Sequence, residues 1–261
     1  MLAVRDICQW IDGLAPFDTQ AEFDNSGLLL GRPDQPVRGV FFALDASQAV
    51  LDEMAETDAN LLITHHPLMF GGRKQLTETD CEGRILCRTI RSKYSMIAAH
   101  TNLDAATGGI NDALADCCGL IHVLGEGYYR TGELAKPCSF GEFCRHVSQR
   151  LECTVRIMSQ LPDDAPISRV TVSSGAGSEF WQQALSDGSQ VFLTGEMKHH
   201  HALAAADAGL GVLEAGHFAT EQPGIFALAQ RLWTHLNGIG EQIPIYRSQA
   251  GAYALPADMI Q

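Results

Sequence analysis

The stretch VFFALDASQAVLDEMAETDANLLITHH (Val40–His66) decides the fold of this chain. The apolar run Val40–Leu44 predicts a buried strand, and Ser47 is a good N-cap for a helix that continues through Met54. A second apolar run, Leu61–Ile63, predicts the next strand. Because a strand, a helix and a strand in succession are typical of a parallel sheet covered by helices, this stretch predicts an α/β fold.

The same alternation of strand and helix continues along the chain and occurs again in its second half. Further strands are predicted at Met96–Ala99, Val170–Val172, Val191–Leu193 and Val212–Ala215, and further helices at about 82–92, 109–115, 180–185, 198–208 and 222–236. We therefore predict two similar α/β domains, each with a mostly parallel sheet flanked by helices. The expected domains are residues 1–126 and 127–261, with residues from about 216 onward packing on the first domain to complete a metal site. The alternative is one domain with a long surface loop between Gly125 and Pro137.

Composition restricts the class of protein. The chain has 261 residues, of which 46% are hydrophobic and 19% charged, so it can bury a substantial core and is not intrinsically disordered. Its formal net charge of −13 argues against binding DNA non-specifically along the phosphates. Arg84, Arg88, Arg91 and Lys93 form the densest basic run, and their helical spacing is typical of a solvated helix face.

The cysteines and the apolar segments bear on the compartment. None of the eight cysteines forms a CxxC pair, which argues against a zinc ribbon or a disulfide framework. Met1–Leu14 predicts a short amphipathic helix rather than a targeting segment. No stretch approaches the length of apolar sequence that spans a membrane. We therefore expect a reduced, cytoplasmic protein that does not enter a membrane.

Chemically active side chains follow three of the predicted strands. His65 and His66 end one strand and His100 ends another, with Asp104 shortly after it; His217 ends a third, with Glu221 four residues later. In open α/β sheets the sites form outside the carboxyl ends of the strands, so these groups are expected to converge. Pro67 favours a turn that lets the neighbouring histidines face the same way. Residues 217–221 share one face if they form a helical turn.

These residue types suit divalent metals. Imidazole and carboxylate ligands permit zinc, iron, manganese, nickel or cobalt. The set is larger than one tetrahedral ion needs and fits two ions about 3.5–4 Å apart. Glu196 ends another strand on the same edge. It is a candidate general base or a partner that holds a histidine, and the alternative is a helix N-terminal acid that interacts with the macrodipole.

Five segments resemble a known family. FDNSGLLLG (Phe23–Gly31), ITHHPLMF (Ile63–Phe70), AAHTNLDAATGGIND (Ala98–Asp112), LTGEMKHH (Leu193–His200) and EAGHFATE (Glu214–Glu221) are similar to segments of the Nif-three-like dinuclear-metal family. Members of this family are commonly labelled GTP cyclohydrolase 1 type 2 homologues. The resemblance implies a ring-shaped homohexamer of two-domain α/β subunits with two divalent metal ions per subunit, in a short form without the family's inserted domain.

The resemblance also implies roles for residues. Carried over by position, it makes His65, His66, Asp104, His217 and Glu221 the metal ligands, which are residues that the strand-end argument also selects. His100 begins the HTNLD motif, and we assign it to the substrate pocket or to the support of a ligand, where it moves a proton; the alternative is that His100 binds metal directly. Glu196 is the second catalytic candidate.

The expected function is a dinuclear-metal-dependent hydrolase that uses a metal-bridged water. The family label suggests a cyclohydrolase-type reaction on GTP, and we expect the substrate to be a nucleotide or a related small molecule. One alternative is a non-enzymatic, metal-binding hexameric scaffold or interaction protein. A weaker third is a ring protein associated with nucleic acid, against which the net charge counts.

Several weaker candidates remain. His200 matches the family's histidine position, while His199 and His201 are expected to be solvated. Asn25 either hydrogen-bonds near the site or makes the turn before Gly27. Asp45 is an acid at the end of a strand, and its role is either functional or structural. Gly108 and Gly109 precede a predicted helix, and their backbone N–H groups are candidates to bind an anion. The sequence signal for such a site is weak. None of the cysteines is expected to bind metal.

Overall fold

A computed structural model of the chain describes residues 2–251. These residues form two compact units. Unit 1 contains the described residues up to Leu103 and those from Ile225 onward, and unit 2 is Asp104–Gly224. Among the described residues, no helix combines the length and the apolar character that crossing a membrane requires.

The helices and strands alternate along most of the chain. The α-helices are α1 (Val4–Leu14), α2 (Gln48–Ala55), α3 (Cys81–Arg91), α4 (Thr101–Ala105), α5 (Ile110–Cys117), α6 (Phe140–Arg150), α7 (Trp181–Ser186), α8 (His199–Asp207) and α9 (His217–Gly238). The strands are β1 (Gly27–Leu30), β2 (Val40–Ala43), β3 (Leu61–Thr64), β4 (Ser95–Ala98), β5 (Leu120–Leu124), β6 (Arg130–Ser139), β7 (Arg156–Met158), β8 (Pro166–Ser173), β9 (Val191–Thr194), β10 (Gly211–Glu214) and β11 (Ile245–Arg247). Short 3-10 turns lie at Phe17–Thr19 and Ser178–Phe180.

Unit 1 is built on a five-stranded sheet. The strand order is β1-β4-β3-β2-β11; β4, β3, β2 and β11 run parallel, and β1 is antiparallel at one edge. The residues of β2, β3 and β4 are all buried, which explains their continuous apolar runs. The amphipathic face predicted for α1 is also confirmed, since Val4, Ile7 and Ile11 are its buried residues.

Helix α2 shows how local sequence sets a boundary in unit 1. The Ser47 hydroxyl accepts a hydrogen bond from the Val50 amide at 3.2 Å, as expected of an N-cap. The buried residues of α2, which include Leu51 and Met54, pack with Phe41 of β2 in one apolar cluster. The sequence prediction of a helix after Ser47 is therefore confirmed.

Unit 2 is built on a six-stranded sheet in the order β5-β6-β8-β9-β10-β7. Strands β8, β9 and β10 run parallel, whereas β5, β6 and β7 pair antiparallel. One of its apolar clusters includes Phe140, Phe143 and Val147 of α6, which pack against residues of β8 and β9. Helix α6 begins with a capping box, in which Ser139 and Glu142 each accept a hydrogen bond from the other's backbone amide.

The predicted class of fold is confirmed, because two sheets are flanked by helices and the six predicted strands are present. The boundaries of the two units, after Leu103 and after Gly224, differ from the predicted boundary after residue 126. The expected junction, Gly125–Pro137, instead contains most of β6, which pairs with β5 on one side and β8 on the other. Strand β11 pairs with β2, so the end of the described chain belongs to unit 1. The part of the predicted second domain beyond residue 251 lies outside the described residues.

The sequence did not predict the four antiparallel strands or the parallel edge strand β11. Strands β1, β5, β6, β7 and β11 are short, irregular or exposed, so they lack the buried apolar run that marks the other parallel strands. Helix α6 was also missed, although its capping box is visible in the sequence SFGE (Ser139–Glu142).

Candidate metal centre

Three histidines of unit 1 lie together beyond the carboxyl ends of β3 and β4. His65 and His66 follow β3, and His100 follows β4, which is its parallel neighbour. The distances between ring centroids are 4.9 Å for His65–His66, 5.0 Å for His65–His100 and 5.3 Å for His66–His100. Each ring offers one nitrogen within 4.8 Å of those of the other two. The convergence expected of these three residues is therefore observed within unit 1.

The backbone turns at the pair of histidines. The amides of His65 and His66 both donate to the carbonyl oxygen of Leu44, at 3.1 and 3.0 Å. The Thr64 hydroxyl donates to the carbonyl oxygen of His66 at 2.8 Å. Because the chain leaves the extended conformation there, the two rings do not point to opposite faces as they would in a continuing strand.

Each ring is held at its Nδ1 atom by an oxygen. His65 Nδ1 lies 2.8 Å from the carbonyl oxygen of Ala99, His66 Nδ1 lies 2.7 Å from Asp45 Oδ1, and His100 Nδ1 lies 2.8 Å from Asp24 Oδ1. Carbonyl and carboxylate oxygens accept hydrogen bonds, so each Nδ1 is the donor. A neutral imidazole of this tautomer carries its lone pair on Nε2, which is the atom that binds a metal.

Asp45 and Asn25 have roles that the sequence left open. Asp45, at the end of β2, holds His66 and is therefore a support of the histidine cluster. The Asn25 side-chain amide donates to the carbonyl oxygen of Met69 at 2.7 Å, which ties its loop to the segment that follows His66. The neighbouring Phe70 is exposed, and its ring meets the edge of His100 at a centroid distance of 5.7 Å.

In unit 2, a helical turn brings His217 and Glu221 together at the start of α9. His217 Nε2 lies 3.1 Å from Glu221 Oε2, as expected for residues four apart on one face. His217 Nδ1 lies 3.0 Å from Glu196 Oε1. Of the three roles considered for Glu196, holding a histidine is the one that this contact supports. Asp104 lies in α4, and its backbone oxygen accepts from the side-chain amide of Asn111 at 3.1 Å.

Gly175, after β8, makes room for the Glu221 carboxylate, and Gly195, after β9, makes room for the backbone of Gly175. Gly175 has φ +55°, and a Cβ atom there would overlap Glu221 Oε1. A Cβ atom on Gly195 would overlap the carbonyl oxygen of Gly175. The Gly175 oxygen accepts from the Glu196 amide at 2.8 Å, and the Gly175 amide donates to the Thr220 hydroxyl at 3.1 Å. The sequence analysis did not single out Gly175, although a glycine directly after a buried strand is a usable signal.

Asp24 is the functional candidate that sequence reasoning missed. It lies directly before Asn25 in the segment FDNSG (Phe23–Gly27). Its carboxylate holds His100 and is fully buried. An acid ahead of an Asn-Ser-Gly turn usually makes a local turn, so nothing in the sequence distinguished this one.

The donor groups present fit divalent metal ions. The cluster in unit 1 offers three imidazoles that are oriented through Nδ1, and unit 2 offers an imidazole and a buried carboxylate. Imidazole suits zinc, iron, nickel and cobalt, and carboxylates extend the choice to manganese. The structure therefore contains His and Glu groups that could bind metal, as the sequence predicted.

Comparison with known proteins identifies the family. Residues 2–251 match the family model of Duf34/NIF3 (NGG1p interacting factor 3). The chain belongs to the Duf34/NIF3 family. The resemblance inferred from the five sequence segments is thus confirmed.

Relatives of this Duf34/NIF3 chain cover nearly its whole length. It is 30% identical over 259 residues to a GTP cyclohydrolase 1 type 2 homolog of Clostridium acetobutylicum, covering 95% of this chain and 96% of that protein. It is 32% identical over 236 residues to the protein of the same name from Streptomyces coelicolor, covering 85% and 83%.

Solved structures show the same fold. A Staphylococcus aureus hypothetical protein superposes with a TM-score of 0.91 at 26% identity, covering 97% of this chain and 98% of that one. Reduced HcgD of Methanocaldococcus jannaschii superposes with a TM-score of 0.81 at 26% identity, covering 95% and 98%.

The remaining polar clusters of this Duf34/NIF3 chain have structural partners. Arg88 pairs with Asp52 at 2.6 Å and Arg91 with Glu78 at 2.5 Å, so two cations of the basic run are neutralised locally. His201 Nδ1 lies 3.0 Å from the carbonyl oxygen of Ser178 and is partly buried, which differs from the expected solvated side chain. All eight cysteines lie within the described residues and are free thiols.

Proposed function

We propose that this Duf34/NIF3 protein is a metal-dependent hydrolase that acts on a small molecule. His65, His66, Asp104, His217 and Glu221 would hold two divalent ions per subunit. The observation that supports the proposal is the group of three imidazoles in unit 1, each held through Nδ1 by an oxygen and so presenting the Nε2 lone pair. Metal-ligating histidines almost always donate their other ring N–H to a carboxylate, a backbone carbonyl or water.

Divalent ions, when bound, lower the pKa of water and polarise a carbonyl, imine or phosphoryl group. The chain's own residues supply orientation and proton transfer. His100 has its Nδ1 committed to Asp24, so its Nε2 is the atom that accepts or returns a proton. Glu196 has one oxygen on His217 Nδ1 and is largely exposed, so it both orients that ring and exchanges protons with solvent.

We propose a nucleotide or related small molecule as the substrate. The relatives carry the name GTP cyclohydrolase 1 type 2 homolog, and their name is the source of this proposal. The exposed ring of Phe70 beside His100 is consistent with a substrate that contains a planar ring, because aromatic faces stack favourably. We further propose that the protein is cytoplasmic and forms a homohexamer. Sedimentation of the purified protein would test the hexamer directly.

The deciding experiment measures metal content and turnover in matched variants. Untagged protein should contain about two ions per chain by elemental analysis, and His65→Ala and Glu221→Gln should each lower that number and abolish hydrolysis. His146→Ala is the control, because His146 is exposed on α6 in unit 2, outside the proposed ligand set. It should retain both properties.

The same experiment separates an enzyme from a metal-binding scaffold. A catalytic site turns over at least one member of a screen of nucleotides and phosphoesters when zinc, iron, manganese, nickel or cobalt is restored in turn. If His65→Ala changed metal content but left the cellular role intact, the protein would be a scaffold. Fewer than about one tightly held ion per chain would contradict the dinuclear site.

A further inference from the structure

Asp24 is a buried carboxylate with an unusually complete set of donors. Its side chain is fully inaccessible to solvent. Oδ1 accepts from His100 Nδ1 at 2.8 Å and from the Asn25 amide at 2.7 Å. Oδ2 accepts from the Thr101 amide at 3.0 Å, from the Thr101 hydroxyl and from the Ser26 hydroxyl at 3.3 Å. Both oxygens are therefore satisfied, which is the condition under which a charged group is tolerated in the interior.

The balance of these interactions keeps Asp24 ionised. Burial by itself raises the pKa of the carboxyl, but hydrogen bonds from His100 and Thr101, the electrostatic interaction with His100 and the hydrogen bond from the Asn25 amide outweigh it and hold the pKa far below its usual range. A carboxylate that stays charged can only accept hydrogen bonds. Asp24 therefore requires a donor at His100 Nδ1.

The donors to Asp24 also fix where it points. Thr101 is the next residue after His100, so the same carboxylate binds the ring of His100 and the backbone of its neighbour. The Ser26 hydroxyl accepts from the His100 amide at 3.2 Å and so links the two segments again. By contrast, the Asp45 carboxylate that holds His66 is about half exposed. Of these two supports, Asp24 is the rigid one.

We infer that Asp24 is a positioning residue that locks His100 in the Nδ1–H tautomer and aims its Nε2 lone pair at the histidine cluster. The inference rests on the proposed function only for what that lone pair meets, a metal ion or a proton. The effect of Asp24 on the tautomer of His100 is a property of the metal-free protein and is independent of catalysis. Buried carboxylates that hold a histidine commonly act in this way on ligands and bases.

The substitution Asp24→Asn is expected to move the ring proton of His100 to the other nitrogen. An asparagine keeps the size of the side chain but has one oxygen and one NH2 group. Oδ2 accepts from three donors of Thr101 and Ser26, whereas Oδ1 faces one backbone donor, the Asn25 amide, besides His100, so the oxygen is favoured on the Thr101 side and the NH2 group faces His100. His100 Nδ1 must then accept, which moves the ring proton to Nε2 and removes the lone pair from the cluster.

The test is nitrogen NMR of the metal-free full chain labelled with ¹⁵N-histidine at neutral pH, with His100 assigned from the spectrum of His100→Gln. Wild-type protein should show His100 as the Nδ1–H tautomer, and Asp24→Asn should show the Nε2–H tautomer. A wild-type spectrum with the proton on Nε2, or an unchanged tautomer in folded Asp24→Asn, overturns the inference. The wild-type measurement decides the question even if the variant does not fold.

Thr101→Val is the matched control, because it removes one hydroxyl donor to Asp24 but leaves His100 Nδ1 bonded. It should keep the Nδ1–H tautomer. In cobalt titrations, Asp24→Asn should weaken binding about 10- to 100-fold, whereas Thr101→Val should bind nearly as wild type. Equal losses of cobalt affinity in the two variants would mean a merely structural role. Absence of any hydrolase activity would contradict the proposed function while leaving the tautomer result intact.

Discussion

At the scale of single residues, Gly175 gives the most specific prediction. Its φ of +55° already disfavours a side chain, and a Cβ atom would overlap the Glu221 carboxylate. Gly175→Ala should lower the free energy of unfolding by more than the roughly 1 kcal/mol that backbone strain alone costs. It should also lower metal content, since Glu221 must move. Urea unfolding and elemental analysis measure the two effects.

Gly188→Ala is the control for Gly175→Ala. Gly188 has φ +75° with nothing within 4 Å of an added Cβ atom, so the substitution introduces strain without an overlap. It should destabilise the protein modestly and leave metal content unchanged. Equal metal loss in both variants would show that the approach of Gly175 to Glu221 has no functional consequence.

The cysteines allow a second residue-scale prediction, on thiol reactivity. Burial, with a smaller contribution from Asp163, raises the pKa of Cys144 to about 11, whereas Cys81 is exposed. Alkylation requires the thiolate, so Cys144 should stay unmodified at pH 8 while Cys81 reacts. The alkylation of Cys144 should accelerate as the pH rises toward 11. Mass spectrometry after timed iodoacetamide treatment would show the order, and early labelling of Cys144 at pH 8 would contradict the prediction.

At the scale of elements, the N-cap of α2 tests whether local sequence stabilises the helix as inferred. Ser47→Ala removes the acceptor of the Val50 amide and should lower the free energy of unfolding by about 1 kcal/mol. Ser47→Asp retains an acceptor and should remain close to wild type. Denaturant titrations of the three proteins give the comparison. A loss with Ser47→Asp as large as with Ser47→Ala would show that the cap hydrogen bond is not the cause.

Elements differed in how far the sequence could predict them. The buried parallel strands carry continuous apolar runs, so β2, β3, β9 and β10 were found to within about one residue. Strand β6 was instead mistaken for part of a junction, because its exposed positions and nearby glycines resemble a loop. Helix α9 was predicted only from residue 222, since Pro223 interrupts its helical pattern near the beginning.

At the scale of the whole molecule, metal should act as a stabilising ligand. A ligand that binds only the folded chain raises the free energy of unfolding, by about 2.7 kcal/mol at a free concentration 100 times its Kd. Chelation should therefore lower the Tm of wild-type protein, and adding back the correct ion should restore it. His65→Ala should respond weakly to both treatments. Calorimetry measures each Tm, and an unchanged Tm after verified metal removal would contradict the prediction.

The sequence by itself determined the class of fold and the residue types of the candidate site. Apolar runs of strand length need burial on both faces, and histidines and acids placed after such runs lie at the carboxyl edge of a parallel sheet. For this reason the sequence predicts that His65, His66 and His100 lie together, and they do so in unit 1.

The groups that orient those histidines, and the strands that complete each sheet, can be recognised only in the tertiary structure. Asp24 is distant from His100 in sequence, and its role depends on the hydrogen bonds that bury it. Strands β6 and β11 are recognisable only through their partners. The physical reason is the same in both cases: local sequence encodes burial and local hydrogen bonding, whereas pairing between distant segments depends on where the folded chain places them.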